Sequence, residues 1–408
     1  MSESDQNNKF WAKYFPYLFV CSALIGGYIV AFKFIQLGIP DLGERVLNIP
    51  KKAVHLNIAL MAIITCLSAV VSGVFFDKHK YTFKRKIQFL IGGGIIQGGI
   101  LVGIFIMSEP IHFTLWIIAF SAVLGFLFPL TYSLMYFLIP AKHRGYVAGI
   151  ITGVAYLIGA LSPFDWTIED LSIEAMIVMS PSILLMGLML LKKDIFSLYE
   201  INDENREDYV GRFTKDKETY HSFIYIVILM FGVYFVDSFG FLRVINEDMI
   251  IDVTWHGDIY IKLLIGFTHL FSALIMGVIY QKYNEKIVFL CALIGFVIGD
   301  FLFSLYPTGI LLYITASIYC ATVSFYTINS FMAWSDISTE NNISKHAGIG
   351  VGIGGWLSSF LSTTITTFLF ETLTGTSGFA RHLQISGVIA VLFLVFSILY
   401  LKKSRKKT

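Results

Sequence analysis

Two ionisable side chains, Lys33 and Asp237, stand inside long apolar stretches of the sequence. Lys33 lies in GGYIVAFKFIQLG and Asp237 in FGVYFVDSFGFLR, and 204 positions separate them. An amine and a carboxylate can pair with each other or bind the two ends of a zwitterionic solute, and Lys33 alone could hold a carboxylate. The sequence contains no nucleophile–base triad, pair of catalytic carboxylates or metal-ligand spacing, so it gives little support to an enzyme, a cofactor or a metal site.

Three further charged or titratable residues occupy similar settings. His269 could carry protons near neutral pH, or it could serve only in packing and hydrogen bonding. Arg243 stands near the end of its stretch, where a long side chain can extend to polar surroundings, and it could also attract anions. Asp300 stands near the end of another stretch and is expected to be solvated.

The composition places these residues in a membrane. Hydrophobic residues make up 56% of the chain and charged residues 14%, with a mean hydropathy of +0.72. A soluble domain is nearer a quarter charged, so we predict an integral membrane protein. The net charge of +2 predicts no nucleic-acid partner. The four cysteines lie in apolar stretches without a CxxC pattern, and we expect free thiols.

Twelve apolar stretches are long enough, at about 20 residues, to cross the hydrocarbon layer as helices. They are 14–38, 55–76, 87–107, 112–139, 145–164, 174–191, 221–246, 259–280, 287–305, 308–334, 346–370 and 383–402. With the N-terminus inside, 23 of the 30 Lys and Arg residues lie in inner loops and tails. This bias predicts that both termini are cytoplasmic. Short loops and the lack of a signal peptide favour a bacterial or archaeal plasma membrane.

An internal repeat divides the chain. SAVVSGVFFDKHK (68–80) resembles SALIMGVIYQKYN (272–284) at an offset of 204, and 142–161 resembles 345–362 at an offset of 203. We therefore predict two six-helix halves, residues 1–191 and 221–408, joined by a polar cytoplasmic linker at 192–220. Lys33 and Asp237 are then symmetry mates.

The loop between spans 2 and 3 carries a motif. Gly73, Asp77, Lys78 and a basic cluster that includes Arg85 resemble the loop 2–3 signature of the major facilitator superfamily, Gly-x-x-x-Asp-Arg/Lys-x-Gly-x-Arg/Lys-Arg/Lys. Lys80 stands at the second glycine of that pattern, and the basic pair comes about three residues late. With the span count and the repeat, the resemblance implies an all-α membrane protein with twelve transmembrane helices. These would form two pseudo-symmetric six-helix bundles around a central site.

The resemblance implies that this motif latches the two halves together. Gly73 permits close helix approach, and the Asp77 carboxylate is expected to meet the positive N-terminal end of span 11, near Gly348. The predicted latch residues are Gly73, Asp77, Lys78 and Arg85. Gln281 replaces the aspartate in the second half, so the latch is predicted to be one-sided. The alternative is that these charges only fix the topology.

The resemblance also implies which spans line the cavity. Spans 1 and 7 face one another, so Lys33 and Asp237 are predicted to form a gate or to bind the solute. The alternative is that both are hydrated near the outer surface. The predicted binding or gating residues are Lys33, Gln36, Tyr132, Asp237, Arg243, Tyr326, Asn329 and Trp356, and the proton-coupling candidates are Asp237 and His269.

The predicted function is secondary transport of a small polar, anionic or zwitterionic organic solute by a monomer, with protons as a candidate coupling ion. A Walker-type motif is missing, so ATP is not the direct energy source. Two alternatives stay open. One is a multidrug/proton antiporter, which the many aromatic residues favour. The drug-export order Gly-x-x-x-Gly-Pro-x-x-Gly-Gly is missing from span 5, however, which counts against export. The other alternative is a sensor on the same scaffold that transports nothing.

Overall fold

A computed structural model describes residues 3–161, 167–191, 206–213, 219–247, 250–254 and 257–405. These residues form helices, and no strand occurs among them. Twelve helices are long and apolar enough to cross a membrane, so the chain is a multi-pass membrane protein, as the sequence predicts. In chain order they are α1 Lys13–Val46, α2 Lys51–Lys78, α3 Phe83–Ile106, α4 Pro110–Leu138, α5 Arg144–Leu161, α6 Ile168–Leu191, α7 Ser222–Val244, α8 Ile259–Lys282, α9 Glu285–Ser304, α10 Ile310–Asp336, α11 Ile343–Phe370 and α12 Gly375–Tyr400.

Polar side chains define where several helices begin. Thr82, Asn284 and Asp258 accept hydrogen bonds from backbone N–H groups in the first turns of α3, α9 and α8. Four helices, α2, α3, α6 and α12, begin four or more residues before the predicted positions. Helix α6 begins at Ile168 rather than at residue 174, which places Glu174 inside the helix.

Two membrane helices contain π-helical segments. Helix α1 is π-helical over Val30–Gly38, and α11 is π-helical over Gly350–Leu357. The π-helix is rare and occurs frequently at functional sites. The two segments carry three of the residues singled out from the sequence, namely Lys33, Gln36 and Trp356.

The two halves contact each other through two equivalent helix pairs, α2 with α11 and α5 with α8. A Cβ atom on Gly73 of α2 would lie 2.5 Å from the backbone oxygen of Ser344. A Cβ atom on Gly277 of α8 would lie 2.6 Å from the backbone oxygen of Gly145. Gly73 and Gly277 are mates in the sequence repeat, so the repeat places small residues where helices of opposite halves cross.

The glycine run at 91–103 in α3 differs from this pattern. Its sequence predicts close helix packing, which holds for Gly93 against Leu127. The prediction is wrong for Gly94 and Gly98, where an added Cβ atom would meet nothing within 4 Å. These two glycines instead leave open space beside α3.

Candidate functional site

A cavity of about 440 Å³ lies between the two halves. We call it the central cavity. It reaches the end of the molecule that carries the α1–α2 connection, where Asp41, Glu44 and Lys51 line it. We call this the loop 1–2 end, and the opposite end, which carries the α2–α3 connection, the loop 2–3 end. The predicted site residues that line the central cavity are Gln36, Tyr132, Asp237, His269, Tyr326 and Trp356.

Asp237 of α7 is held in the central cavity by two phenols of α10. Tyr319 donates a hydrogen bond to Oδ1 at 3.0 Å, and Tyr326 donates one to Oδ2 at 2.5 Å. Hydrogen bonds to a carboxylate are stronger than those between neutral groups, so the two phenols fix its position. Sequence reasoning identified Tyr326 and missed Tyr319, although both are tyrosines of the same span.

The predicted pairing of Lys33 with Asp237 is wrong. The Lys33 amine lies 2.8 Å and 2.7 Å from the two carboxylate oxygens of Glu174 in α6, and Lys33 is only 1% exposed. It is not among the residues that line the central cavity. Glu174 lies in the same half as Lys33, in the second turn of α6, so the two charges pair within that half.

His269 of α8 is part of a contact between the halves. Its ring stacks on Tyr156 of α5 at 3.9 Å between centroids, and its Nδ1 atom lies 2.8 Å from the Ser324 hydroxyl. The Tyr156 hydroxyl is in turn 2.6 Å from that of Tyr28, which lies 3.1 Å from the hydroxyl of Thr327. The histidine therefore packs against a hydrogen-bonded group of hydroxyls that comes from both halves. Sequence reasoning missed Tyr28 and Tyr156.

Aromatic rings form another part of the cavity wall. Tyr132 of α4 stacks with Phe331 of α10 at 5.7 Å, and Phe128 of α4 lies 5.7 Å from Trp356 of α11. Gln36 is exposed and also lines the cavity. Away from its rim, where Asp41, Glu44 and Lys51 lie, the cavity combines the Asp237 carboxylate, several hydroxyls and flat apolar surfaces. These suit a solute with a charged group and an apolar part.

Besides Lys33, two predicted site residues lie outside the central cavity. Asn329 is fully buried, and its amide donates a hydrogen bond to the backbone oxygen of Glu285, which joins α10 to α9. Arg243 is also buried, lies 3.5 Å from Glu247 and stands over the ring of Phe370. The expectation that its side chain extends into polar surroundings is wrong, because a nearby carboxylate and aromatic rings enclose it.

The expectation that Asp300 is solvated is wrong as well. Asp300 of α9 is 0% exposed, and neither of its carboxylate oxygens makes a hydrogen bond of good geometry with a described residue. A charged carboxylate in such a place is expensive. Asp300 is therefore a residue of interest that sequence reasoning dismissed because of its position near a helix end.

Asp77 contacts the N-terminal end of α11, the partner that the family resemblance implies. Its carboxylate accepts hydrogen bonds from the backbone N–H groups of Ser344 at 3.3 Å and Lys345 at 2.6 Å. These groups belong to the first turn of α11, which begins at Ile343 and not near Gly348. A carboxylate at a helix N-terminus satisfies unpaired donors and interacts favourably with the helix dipole.

The basic residue that accompanies Asp77 differs from the prediction. Lys86 is buried, donates to the Ser344 hydroxyl at 2.9 Å and lies 4.0 Å from Asp77. Arg85 is exposed and bonds to Gln88 on its own helix, while Lys78 is exposed too. The basic pair stands late relative to the family pattern, so the cation that the contact uses is one position further along the chain.

The prediction of a one-sided latch is also wrong. Gln281, at the end of α8, accepts a hydrogen bond from the backbone N–H of Gly145 at 2.8 Å and donates one to the Ala141 oxygen at 3.3 Å. This contact at the start of α5 is equivalent to that of Asp77 with α11. A primary amide can accept from a helix N-terminus as a carboxylate does, but without the charge.

A fully buried carboxylate, Asp336, connects both halves at the loop 2–3 end. It lies 3.0 Å from Arg144 of α5 and 2.6 Å from Arg212, and it accepts a hydrogen bond from Tyr280 at 2.9 Å. Burial by itself lowers the pKa of Arg212, but Tyr280 and Asp336 more than offset this and hold the pKa above its usual value. We call Asp336, Arg144, Arg212 and Tyr280 the Asp336 cluster.

Part of the predicted linker takes part in this closure. Residues 206–213 begin with a one-turn helix, Arg206–Tyr209. The backbone oxygen of Tyr209 accepts a hydrogen bond from the Arg144 guanidinium at 2.6 Å. The backbone N–H of Phe213 donates one to the backbone oxygen of Asp336 at 3.0 Å. Most of the remaining linker prediction, 192–220, lies outside the described residues.

Comparison with known proteins supports the architecture. Neither a family model nor a curated protein matches the sequence. The structure is similar to that of the proton:xylose symporter XylE bound to 6-bromo-6-deoxy-D-glucose, with a TM-score of 0.65, 15% identity and 95% of each chain covered. It is also similar to that of the human organic anion transporter TETRAN, with a TM-score of 0.61, 12% identity and coverage of 94% of this chain and 98% of that one. Both are named as transporters and neither as an enzyme. The fold that the loop 2–3 motif implies is therefore confirmed: the chain has the twelve-helix fold of the major facilitator superfamily.

Proposed function

We propose that this protein is a secondary transporter that moves a small polar organic solute across the plasma membrane by alternating access. The observation that carries the proposal is the central cavity, which reaches the loop 1–2 end while paired helix contacts and the Asp336 cluster hold the loop 2–3 end together. We assign the loop 2–3 end and both termini to the cytoplasm from the distribution of Lys and Arg. In this assignment the cavity faces outward.

The two moving bodies are proposed to be residues 1–191 and 221–408, acting within a monomer. Four helices of each half supply most of the cavity lining, as expected when the solute binds between the repeats. The paired contacts at the loop 2–3 end would then have to separate during each cycle.

A zwitterionic solute with an amino group fits the cavity better than an organic anion. The anion hypothesis depended on Lys33, whose charge is neutralised by Glu174. Asp237 instead offers a carboxylate held by two phenols, which can bind an ammonium group. Asp237 and His269 line the same cavity, so they remain our candidates for coupling to protons.

The export of amphipathic organic cations in exchange for protons is the second candidate function. The rings of Tyr132, Phe128 and Trp356, which line the same cavity as the Asp237 carboxylate, favour it, because aromatic faces attract cations.

Uptake into proteoliposomes tests the proposal. We expect saturable uptake of at least one radiolabelled amino acid, stimulated by an inward proton gradient and lost in Asp237→Asn. Glu44→Gln, which removes a carboxylate at the rim of the same cavity, is the matched control and should retain uptake. Efflux of cationic dyes without amino-acid uptake would favour the second candidate. If neither assay shows flux, the transport proposal is wrong, and a sensor that transports nothing becomes the better hypothesis.

A further inference from the structure

A second cavity, of about 400 Å³, lies within the first half. We call it the lateral cavity. Helices α1, α3, α4 and α6 supply nearly all of its lining. Met176 and Leu184 of α6 line it and are also 38% and 67% exposed, so it opens on the outer surface of the helix bundle. That surface faces hydrocarbon in a membrane protein, and a ligand would therefore enter the lateral cavity from the bilayer.

One polar group in this cavity is not accounted for by the fold. Gln97 of α3 is 6% exposed, and neither its amide oxygen nor its amide nitrogen has a hydrogen-bond partner among the described residues. The hydroxyls of Thr131, Ser180 and Ser182 line the same cavity, but each donates to a backbone oxygen of its own helix. The bilayer core offers no water to satisfy the amide, so a ligand is the partner that it lacks.

The glycines of α3 make the space that such a ligand needs. Gly94 and Gly98 stand on either side of Gln97 in the sequence, line the cavity and leave open space where a Cβ atom would lie. A larger residue at either position would take up part of the cavity. The volume is roughly 13 times the ~30 Å³ share of one water molecule, and a methylene group is of similar size, so a chain of about ten carbons fits.

We propose that the lateral cavity binds a medium-chain fatty acid in its neutral form, with the carboxylic acid group paired to the Gln97 amide. A neutral carboxylic acid presents one donor and one acceptor in one plane, which match the amide oxygen and the amide N–H. The apolar walls alone would not select a chain from lipid, because lipid tails are equally apolar. The hydrogen-bonded pair supplies the preference, and the cost of charge in hydrocarbon keeps the acid neutral.

Binding of radiolabelled decanoic acid to the purified full-length protein in detergent, measured by scintillation proximity, tests this proposal. We expect saturable binding that unlabelled decanoic acid displaces, that decan-1-ol displaces at least tenfold less well, and that is tighter at pH 5 than at pH 8. Gln97→Leu should weaken binding at least tenfold without lowering the melting temperature, because it removes an unpaired buried polar group.

Two further variants sharpen the test. Gly98→Leu keeps the amide but fills the cavity, so it should also weaken binding at least tenfold. Gln88→Leu changes an exposed glutamine of the same helix and should bind as the unmodified protein does. Unchanged binding in Gln97→Leu, equal displacement by decan-1-ol, or no saturable binding would overturn the proposal. The two cavities share Tyr28, Ala31, Phe128 and Tyr132 in their linings, but Asp237 lines only the central cavity. Asp237→Asn should therefore abolish transport and leave decanoic acid binding intact.

Discussion

At the scale of single residues, the ion pair of Lys33 and Glu174 shows what sequence reasoning can and cannot predict. The sequence indicates that Lys33 is buried, because it stands in an apolar stretch. Its partner depends on where α6 begins, and hydropathy locates such boundaries poorly. Asp77 was easier, since a family motif identifies both the residue and the helix that it contacts.

Removing one member of that pair should destabilise the protein. Glu174→Gln leaves the Lys33 charge buried without its carboxylate, which typically costs about 3–5 kcal/mol. The double variant Lys33→Met, Glu174→Gln removes the uncompensated charge and should recover part of the loss. Melting temperatures of the purified variants provide the comparison, and equal losses in the single and double variants would show that the two residues are not coupled.

Asp300 allows a test of protonation inside the membrane. Its full burial and lack of a well-formed hydrogen bond indicate that it is neutral. Asp300→Asn keeps the shape of the side chain and its lack of charge, so it should leave the free energy of unfolding nearly unchanged. Asp300→Ala, which leaves a space, is the destabilised comparison variant. A large loss of stability in Asp300→Asn would mean instead that the carboxylate is charged and paired.

At the scale of helices, hydropathy predicted all twelve spans, because each needs about 20 apolar residues regardless of its neighbours. The π-helical segments Val30–Gly38 and Gly350–Leu357 were not predicted. Their composition resembles that of ordinary membrane helices, and the geometry depends on how the helices pack. Both segments contribute to the central cavity, where such irregularity is common.

The crossing of α2 and α11 should depend on Gly73. Gly73→Leu places a side chain against the Ser344 backbone and should force the helices apart, whereas Gly92→Leu in α3 has open space. Ser335→Cys, in a background without the native cysteines, reports how often the loop 2–3 end opens. Ser335 is 0% exposed in the closed form, so a cysteine there can be labelled only when that end opens. We expect a water-soluble maleimide to label it about tenfold faster in Gly73→Leu, a shift of ~1.4 kcal/mol toward the open form. Equal labelling in Gly73→Leu and Gly92→Leu would contradict this.

At the scale of the whole molecule, the repeat explains why two equivalent helix contacts close the loop 2–3 end. Gly73 and Gly277 occupy equivalent crossings, and Asp77 and Gln281 occupy equivalent helix ends. The division at residues 192–220 stays a prediction, and the sequence did not predict the Asp336 cluster. Nothing in the sequence singles out Arg144, and its partners come from distant parts of the chain.

The Asp336 cluster should set the balance between the form that is open at the loop 1–2 end and the form that is open at the loop 2–3 end. Asp336→Asn leaves Arg144 and Arg212 facing each other without the carboxylate that both contact, which should favour opening of the loop 2–3 end. Such a variant should transport at an altered rate but retain the fold, as judged by its circular dichroism.

Distance measurement between spin labels at Lys78→Cys and Tyr283→Cys, both exposed at the loop 2–3 end and on opposite halves, tests whether the two halves rock against each other. Alternating access predicts one short distance in the otherwise unmodified protein and a second, longer population in Asp336→Asn, both reconstituted in lipid. A single distance that is the same in both proteins would contradict alternating access through rocking of the two halves.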